Sequence, residues 1–80
     1  MTWRDDKATK AALKRLGANL LRLRTAKKWS QDEAAERCDI SLQQTYQQIE
    51  AAKVNVTMFT LTKLAAGFGV DLRDLLAPPR

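Results

Sequence analysis

Residues 30–50 read SQDEAAERCDISLQQTYQQIE, and this stretch predicts two short helices in tandem. Ser30 stands three positions before Glu33, and Ser41 stands three positions before Gln44. Both pairs fit the capping box, in which the serine oxygen accepts from the N–H of the third residue, whose side chain reaches back to the cap N–H. Two short helices joined by a tight turn are typical of a helix-turn-helix. We therefore expect this motif at the centre of the fold.

The second of these helices is rich in glutamine. Gln43 and Gln47 lie one turn apart on one face, and so do Gln44 and Gln48. A glutamine amide both donates and accepts, so it can form two hydrogen bonds with an adenine edge in the major groove of DNA. The pattern favours sequence-specific binding of double-stranded DNA, with base contacts from Gln43, Gln44 and Gln47. The alternative is a solvated polar face with no partner.

Basic charge is concentrated in the first third of the chain. Residues 1–28 hold nine basic and two acidic side chains, whereas residues 29–80 hold five basic and seven acidic ones. A basic segment attracts a polyanion because binding releases counterions. Most such runs are simply solvated helix faces, so the charge alone does not decide between these interpretations.

The composition offers nothing for enzymatic chemistry. The chain has no histidine and a single cysteine, Cys38, and it has no glycine-rich phosphate loop. We expect no enzyme, no cofactor and no metal site, with Cys38 as a small buried side chain rather than a redox centre. No apolar run approaches the roughly 18 residues that span a bilayer, and no signal sequence is recognisable at the start. We therefore expect a cytoplasmic protein without a membrane partner.

Hydrophobic spacing predicts an all-α fold of five helices without strands, in which helices 2 and 3 form the helix-turn-helix. Gly17 lies inside helix 1, where it indicates either close packing or the join between an N-terminal extension and the domain. We expect a basic extension of helix 1 over residues 1–15, the domain over 16–77 and a tail over 78–80. The predicted helices cover about residues 7–26, 31–37, 42–51, 58–67 and 72–77.

Several short segments, in this order and at this spacing, resemble the phage repressor/Cro (XRE-type) helix-turn-helix family over about residues 16–76. These segments are Leu16-Gly17, Leu23-Arg24, Trp29-Ser30-Gln31-Asp32-Glu33-Ala34-Ala35, Ile49-Glu50, Asn55-Val56-Thr57, Leu61-Thr62-Lys63-Leu64-Ala65, Phe68-Gly69-Val70 and Asp71-Leu72-Arg73-Asp74-Leu75-Leu76.

The resemblance implies roles for individual positions. Arg24 and Glu50 match an arginine and a glutamate that pair in several members, and this pair would clamp helix 1 to the end of helix 3. Tyr46 and Ile49 would face the core, although Tyr46 could instead contact DNA. Contacts to the DNA backbone are expected from Gln31, Lys27, Lys28, Ser41, Lys53 and Asn55.

Three departures from the family pattern concern helix 3 and its flanks. The interval from Ser41 to Glu50 is one residue longer than usual, Asp39 stands where glycine is usual, and Ala51-Ala52 replaces Arg-Gly. A left-handed backbone at Ala52 would be strained. Helix 3 also lacks lysine and arginine, so affinity for DNA would depend on flanking residues.

The family resemblance implies a transcriptional regulator that binds a palindromic operator as a homodimer, with helix 3 in the major groove. A phage repressor, a restriction-modification controller and an antitoxin all fit this outline. The dimer contact is expected from helix 5 and the turn before it, although Leu72 and Leu75 could equally close the monomer core. The rival is a protein-interaction module, or an antitoxin-like protein that binds a protein partner, whose basic helix meets an acidic surface. The residues assigned to the dimer contact are Val70, Leu72, Leu75 and Leu76.

Overall fold

A computed structural model describes residues 2–78, and it contains five α-helices and no strand within that range. The predicted all-α, five-helix fold is confirmed. A short 3-10 turn at Trp3–Asp5, which the sequence did not predict, precedes the first helix. Of the predicted tail only residue 78 is described, because residues 79 and 80, like residue 1, lie outside the described part. The helices are α1 (Lys7–Ala26), α2 (Gln31–Arg37), α3 (Gln43–Glu50), α4 (Met58–Phe68) and α5 (Leu72–Leu76).

Helix α1 is continuous across the domain boundary predicted at residue 15. It begins at the cap Asp6, whose carboxylate accepts from the Thr9 N–H at 3.0 Å. Leu13 is buried, and Arg15 Nε donates to the carbonyl of Leu76 at 3.2 Å. Leu13 and Arg15 of the predicted extension therefore contact the rest of the chain. None of the described helices combines the length and apolar character needed to cross a bilayer.

The core is formed by apolar side chains from all five helices. Trp29, which precedes the cap of α2, packs on Phe68 of α4 with ring centroids 5.3 Å apart. Cys38 is buried at the end of α2, and burial raises the pKa of its thiol to about 11. At neutral pH this thiol stays protonated, as expected of a small core side chain. The most deeply buried side chains are Tyr46, Phe68, Leu16, Leu20, Leu64, Leu75, Asn19 and Cys38.

The two predicted capping boxes differ in outcome. Ser30 Oγ accepts from the Glu33 N–H at 3.1 Å as expected, but the Glu33 carboxylate pairs with Arg37 instead of returning to the cap. The box predicted between Ser41 and Gln44 is wrong. Helix α3 begins one residue later, at an N-cap leucine, Leu42, that makes no side-chain cap hydrogen bond.

The turn between α2 and α3 explains the displaced cap. Asp39 adopts the left-handed conformation (φ 55°), and the N–H of Ile40 donates to Ala35 at 2.8 Å, which closes α2 in a Schellman motif. Lys63 of α4 donates to the Asp39 carbonyl at 2.8 Å and holds the turn from outside. Helix α2 therefore ends at Arg37, and α3 begins at Gln43 with Leu42 at its N-cap.

Leu75 is not available for a dimer contact, so its assignment there is wrong. Its side chain is 0% exposed and belongs to the core of the protomer. Asn19 of α1, itself buried, donates to the carbonyls of Leu75 and Ala77 at 2.8 and 2.9 Å and so ties the end of α5 to α1. The other three residues of that assignment, Val70, Leu72 and Leu76, pack against the core but keep part of their surface exposed.

Ala52 has a left-handed backbone (φ 59°) at the end of α3, which is the strain anticipated from its sequence position. The N–H of Ala52 donates to the Ile49 carbonyl at 3.1 Å, and the N–H of Lys53 donates to the Gln48 carbonyl at 2.9 Å. The helix thus ends in a Schellman motif, which usually has glycine at the position of Ala52. A left-handed conformation costs a residue with a Cβ about 1–2 kcal/mol.

We predict that Ala52→Gly raises the free energy of unfolding by about 1 kcal/mol, because glycine removes this strain. Urea unfolding measures the change. The matched control is Ala51→Gly, since Ala51 has φ −83° and gains nothing from glycine. Equal effects of the two substitutions, or a loss of stability in Ala52→Gly, would contradict the strained backbone.

Candidate nucleic-acid interface

Helix α3 has one buried face and one exposed polar face. Tyr46 and Ile49 lie in the core at 0% and 2% exposure. The three residues predicted to contact bases, Gln43, Gln44 and Gln47, are all exposed. Gln44 and Gln47 line one depression on the outer side of α3, whereas Gln43 lines another beside the carboxylates of Asp32, Glu36 and Asp39.

A shallow depression of about 410 Å³ lies between the start of α2 and this face. It is lined by Gln31, Gln44, Gln47 and Lys53. The first turn of α2 and the residues that follow α3 therefore reach the same surface. The sequence assigned Gln31 and Lys53 to phosphate contacts, and the structure brings both of them beside the glutamine face. An anion at this position would meet amide donors and one ammonium group.

The remaining predicted backbone contacts are spread over other surfaces. Lys28 is exposed at the end of α1, and Lys27 Nζ lies 5.1 Å from the centroid of the Trp29 ring. Asn55 is exposed in the loop after α3, where its side chain accepts from the Val56 N–H at 3.0 Å and lines a depression beside the first half of α1.

Ser41 lies in a separate depression of about 470 Å³ that is lined by three carboxylates. These belong to Asp32, Glu36 and Asp39. Negative charge repels phosphate, so the surroundings of Ser41 disfavour the contact that the sequence assigned to it.

Arg24 and Glu50 form a bidentate ion pair that joins α1 to the end of α3. Arg24 Nη2 donates to Glu50 Oε1 at 2.8 Å, and Nε donates to Oε2 at 2.9 Å. Arg24 Nη1 also donates to the Trp29 carbonyl at 3.0 Å, and Gln31 Nε2 approaches Glu50 Oε1 at 3.4 Å. The pair thus connects α1, the start of α2 and the last residue of α3. Two parallel bonds of this kind fix direction as well as distance.

The electrostatics of the pair follow from its burial. Glu50 sits at the C-terminus of α3, where the helix dipole disfavours negative charge, and its side chain is only 7% exposed. Burial opposes ionisation, but the hydrogen bonds and positive charge of Arg24, together with the neighbouring polar groups, outweigh it and leave the pKa of Glu50 below its ordinary value. The same hydrogen bonds raise the pKa of Arg24. The carboxylate is therefore charged at neutral pH and depends on its partner.

Tyr46 lies beneath this pair, in the core as expected from the sequence and not at the DNA-facing surface that was the alternative. Its ring is fully buried, and its hydroxyl has no hydrogen-bond partner within residues 2–78. Burial, together with the nearby Glu50 carboxylate, raises the pKa of the Tyr46 hydroxyl above its ordinary value. Tyr46 therefore supports α3 from the core side and is not presented to a ligand.

Gly17 of α1 lies directly against the last turn of α3. A Cβ at this position would overlap the Glu50 carbonyl oxygen and lie 3.1 Å from its carbonyl carbon. Of the two explanations left open by the sequence, close packing is the one observed. No local sequence pattern predicts this contact, because it joins residues more than thirty positions apart.

We predict that Glu50→Gln lowers the free energy of unfolding by about 2 kcal/mol at neutral pH, because Arg24 loses its counter-charge. Glu50 has a lowered pKa in the folded state, so its contribution is present above the unfolded value near 4.5 and is lost as the pH falls through the folded-state pKa. The variant should therefore lose less stability than the parent between about pH 7 and about pH 3. Urea unfolding at both pH values measures this difference.

The control for that series is Glu36→Gln, which removes an exposed carboxylate from α2. It should keep the acid sensitivity of the parent chain. Identical acid sensitivity in Glu50→Gln and the parent would contradict the contribution of the pair.

We predict that Gly17→Ala displaces α3 and destabilises the fold by about 1–3 kcal/mol, as expected of overpacking. Gly67→Ala is the matched control, because its Cβ would lie 2.7 Å from the Arg37 carbonyl oxygen at the end of α2. Amide chemical shifts should change along α3 in the first variant and around the end of α2 in the second. Unchanged α3 shifts in Gly17→Ala would show that this contact does not position the helix.

Comparisons with known proteins agree with this geometry. The Helix-turn-helix family matches residues 20–75. A protein of Neisseria meningitidis serogroup B, described as a Neisseria hypothetical transcription factor, is 36% identical over 66 residues, which are 81% of this chain and 60% of that protein. The chain thus spans less than two thirds of the length of this relative.

The fold comparison gives the same result. The crystal structure of a hypothetical transcription factor from Neisseria has a TM-score of 0.80 and 31% sequence identity, covering 85% of this chain and 77% of that one. The family match covers all of α2, α3 and α4, the last part of α1 and most of α5. The chain therefore belongs to the XRE-type helix-turn-helix family.

Proposed function

We propose that this chain is a DNA-binding transcriptional regulator that binds a palindromic operator as a homodimer, with α3 in the major groove. Membership of the helix-turn-helix family and the similarity to proteins described as transcription factors support DNA binding and regulation. The operator geometry and the homodimer extend this proposal, since helix-turn-helix dimers place two recognition helices about one helical turn apart.

The observation that carries the proposal is the exposed glutamine face of α3. Gln43, Gln44 and Gln47 project from a helix whose other side is locked by Tyr46 and Ile49 in the core. Each amide can form two hydrogen bonds with the N6 and N7 atoms of adenine. This chemistry predicts adenine–thymine pairs at the centre of each half-site.

Contacts to phosphate would come from the rim of this face. Lys53 and Gln31 line the same depression as Gln44 and Gln47, and Lys28 is exposed at the preceding turn. The amide protons at the start of α2 also favour an anion. Lys27, Ser41 and Asn55 complete the set assigned from the sequence, and the carboxylates near Ser41 make it the weakest member of this set.

A protein-interaction module is the second candidate, because α3 carries no lysine or arginine in Gln43–Glu50. A reading helix without cations leaves the electrostatic part of the affinity to its neighbours. In this alternative the glutamine face or the basic first helix binds a protein, and DNA is bound weakly or without sequence preference.

We predict that selection from a random duplex pool yields one preferred sequence with two inverted half-sites. Gln44→Ala should weaken binding to that sequence by about 1–3 kcal/mol and relax the preference at one position of each half-site. Lys53→Ala is the comparison variant, and it should weaken binding to all duplexes alike and reduce the salt slope by about one unit. Competition titrations at several salt concentrations measure both effects.

Absence of any preferred sequence would contradict the proposal and favour the protein-interaction module. The same conclusion would follow if Gln44→Ala changed the affinity for the selected sequence and for random duplex equally.

A further inference from the structure

Helix α1 carries positive charge without compensating negative charge. Its sequence, KATKAALKRLGANLLRLRTA, contains six basic residues and no acidic one. Arg24 is the only one of the six that forms an ion pair within residues 2–78, and its partner is Glu50. Lys10 and Lys14 are exposed and have no acidic partner in the same range. Neither lysine belongs to the set assigned to DNA contacts.

Lys10 and Lys14 lie on the face of α1 that meets the end of α3. They precede Gly17 by seven and three positions, and residues at these spacings share one face of a helix. Gly17 packs directly against the carbonyl of Glu50, the last residue of α3. Along the helix axis, Lys14 lies about 4.5 Å and Lys10 about 10 Å before this contact. The two lysines therefore continue the same face beyond the end of α3.

The loop after α3 runs back along this part of α1. The chain leaves α3 at its contact with α1, and five residues later Asn55 lines a depression together with Thr9, near the start of α1. Lys53, which is exposed, lies between these two points. The loop therefore passes the level of Lys10 and Lys14 on α1. We call Lys10, Lys14 and Lys53 the lysine row.

The two ends of the glutamine face differ in charge. Beyond the end of α3, Lys53 lines the same depression as Gln44 and Gln47. At the start of α3, Gln43 lies in a depression lined by the carboxylates of Asp32, Glu36 and Asp39. Phosphate is repelled by those carboxylates and attracted by the lysines. The duplex backbone that passes α3 is therefore favoured on the side of α1.

We propose that the lysine row binds the sugar-phosphate backbone of duplex DNA, with Lys10 and Lys14 extending the contact of Lys53 onto α1. Helix α3 carries no lysine or arginine in Gln43–Glu50, so phosphate contacts must come from neighbouring elements. The inference rests on the proposed function, because it adds a surface to the proposed DNA contact. It gives the basic first half of α1 a sequence-independent role, which is to raise the affinity for any duplex that α3 meets.

An acidic protein surface fits the first half of α1 less well than DNA does. The core of a protein interface is usually apolar or aromatic. Among residues 2–78 the large exposed apolar side chains all lie outside the first half of α1, and they belong to Leu21, Leu42, Met58 and Phe59. Exposed lysines without an apolar centre suit phosphates, which are bound mainly through charge.

Salt-dependent titration of duplex binding tests the lysine row. The double variant Lys10→Gln/Lys14→Gln removes both charges but keeps long side chains of similar helix propensity. Each lost phosphate contact should reduce the slope of log affinity against log salt by about 0.9, so the double variant should lose about 1.8 units. Over a fourfold rise in salt, the parent should therefore lose about tenfold more affinity than the double variant does. The selected sequence and random duplex should show the same change.

Arg22→Gln is the matched control. It removes one exposed cation from the same helix, but Arg22 lies five positions after Gly17, about 140° around the axis, and lines the depression between α1 and α5. Its slope should equal that of the parent, and circular dichroism should show every variant folded. The single variants Lys10→Gln and Lys14→Gln should each account for about half of the change in the double variant.

Two results would overturn the inference. The first is an unchanged slope in the double variant, and the second is an equal change per charge in Arg22→Gln, which would reflect net charge rather than a local contact. Either result leaves the proposed function intact if selection yields one preferred sequence with inverted half-sites. If selection yields no preferred sequence, the proposed function fails, and the slope on random duplex still decides whether the lysine row binds the DNA backbone.

Discussion

The last turn of α3 rests against the backbone of α1 at Gly17, and the Arg24–Glu50 pair closes over this contact. These two features act at the same end of the same helix. Close approach sets the distance between α1 and α3, whereas the bidentate pair sets the direction of the helix end. The outward position of the glutamine face depends on both, because an eight-residue helix has too little intrinsic stability to hold its own orientation.

Uncharged amides and charged side chains occupy different parts of the surface around α3. The exposed face of α3 holds uncharged amides, with Lys53 beside Gln44 and Gln47 and the carboxylates of Asp32, Glu36 and Asp39 beside Gln43. Uncharged amides suit the discrimination of bases, and lysines suit contacts to the phosphate backbone. Helix α1 contacts the end of α3 at Gly17 and the end of α5 at Asn19, on nearly opposite sides of its axis.

Local sequence signals predicted much of this fold. The spacing of leucines and the cap at Ser30 gave α1 and α2 their bounds, and the same face of α3 was assigned to the core. The predictions that were wrong concern positions whose structure depends on residues far away in the sequence. Ser41 has good capping chemistry, but closure of the turn at Asp39 puts Leu42 at the cap. Leu75 suits a core or an interface equally, and only its neighbours from α1 distinguish the two.

The most direct test of this account is a double-mutant cycle of Arg24→Ala, Glu50→Ala and the double variant, read by urea unfolding and by duplex binding. We expect a coupling energy of about 1–3 kcal/mol in unfolding. At a temperature where every variant is folded, we also expect each single variant to bind the selected duplex more weakly than the parent does. Additive effects on stability, or unchanged duplex binding in the folded single variants, would contradict the claim that this pair holds the glutamine face in position.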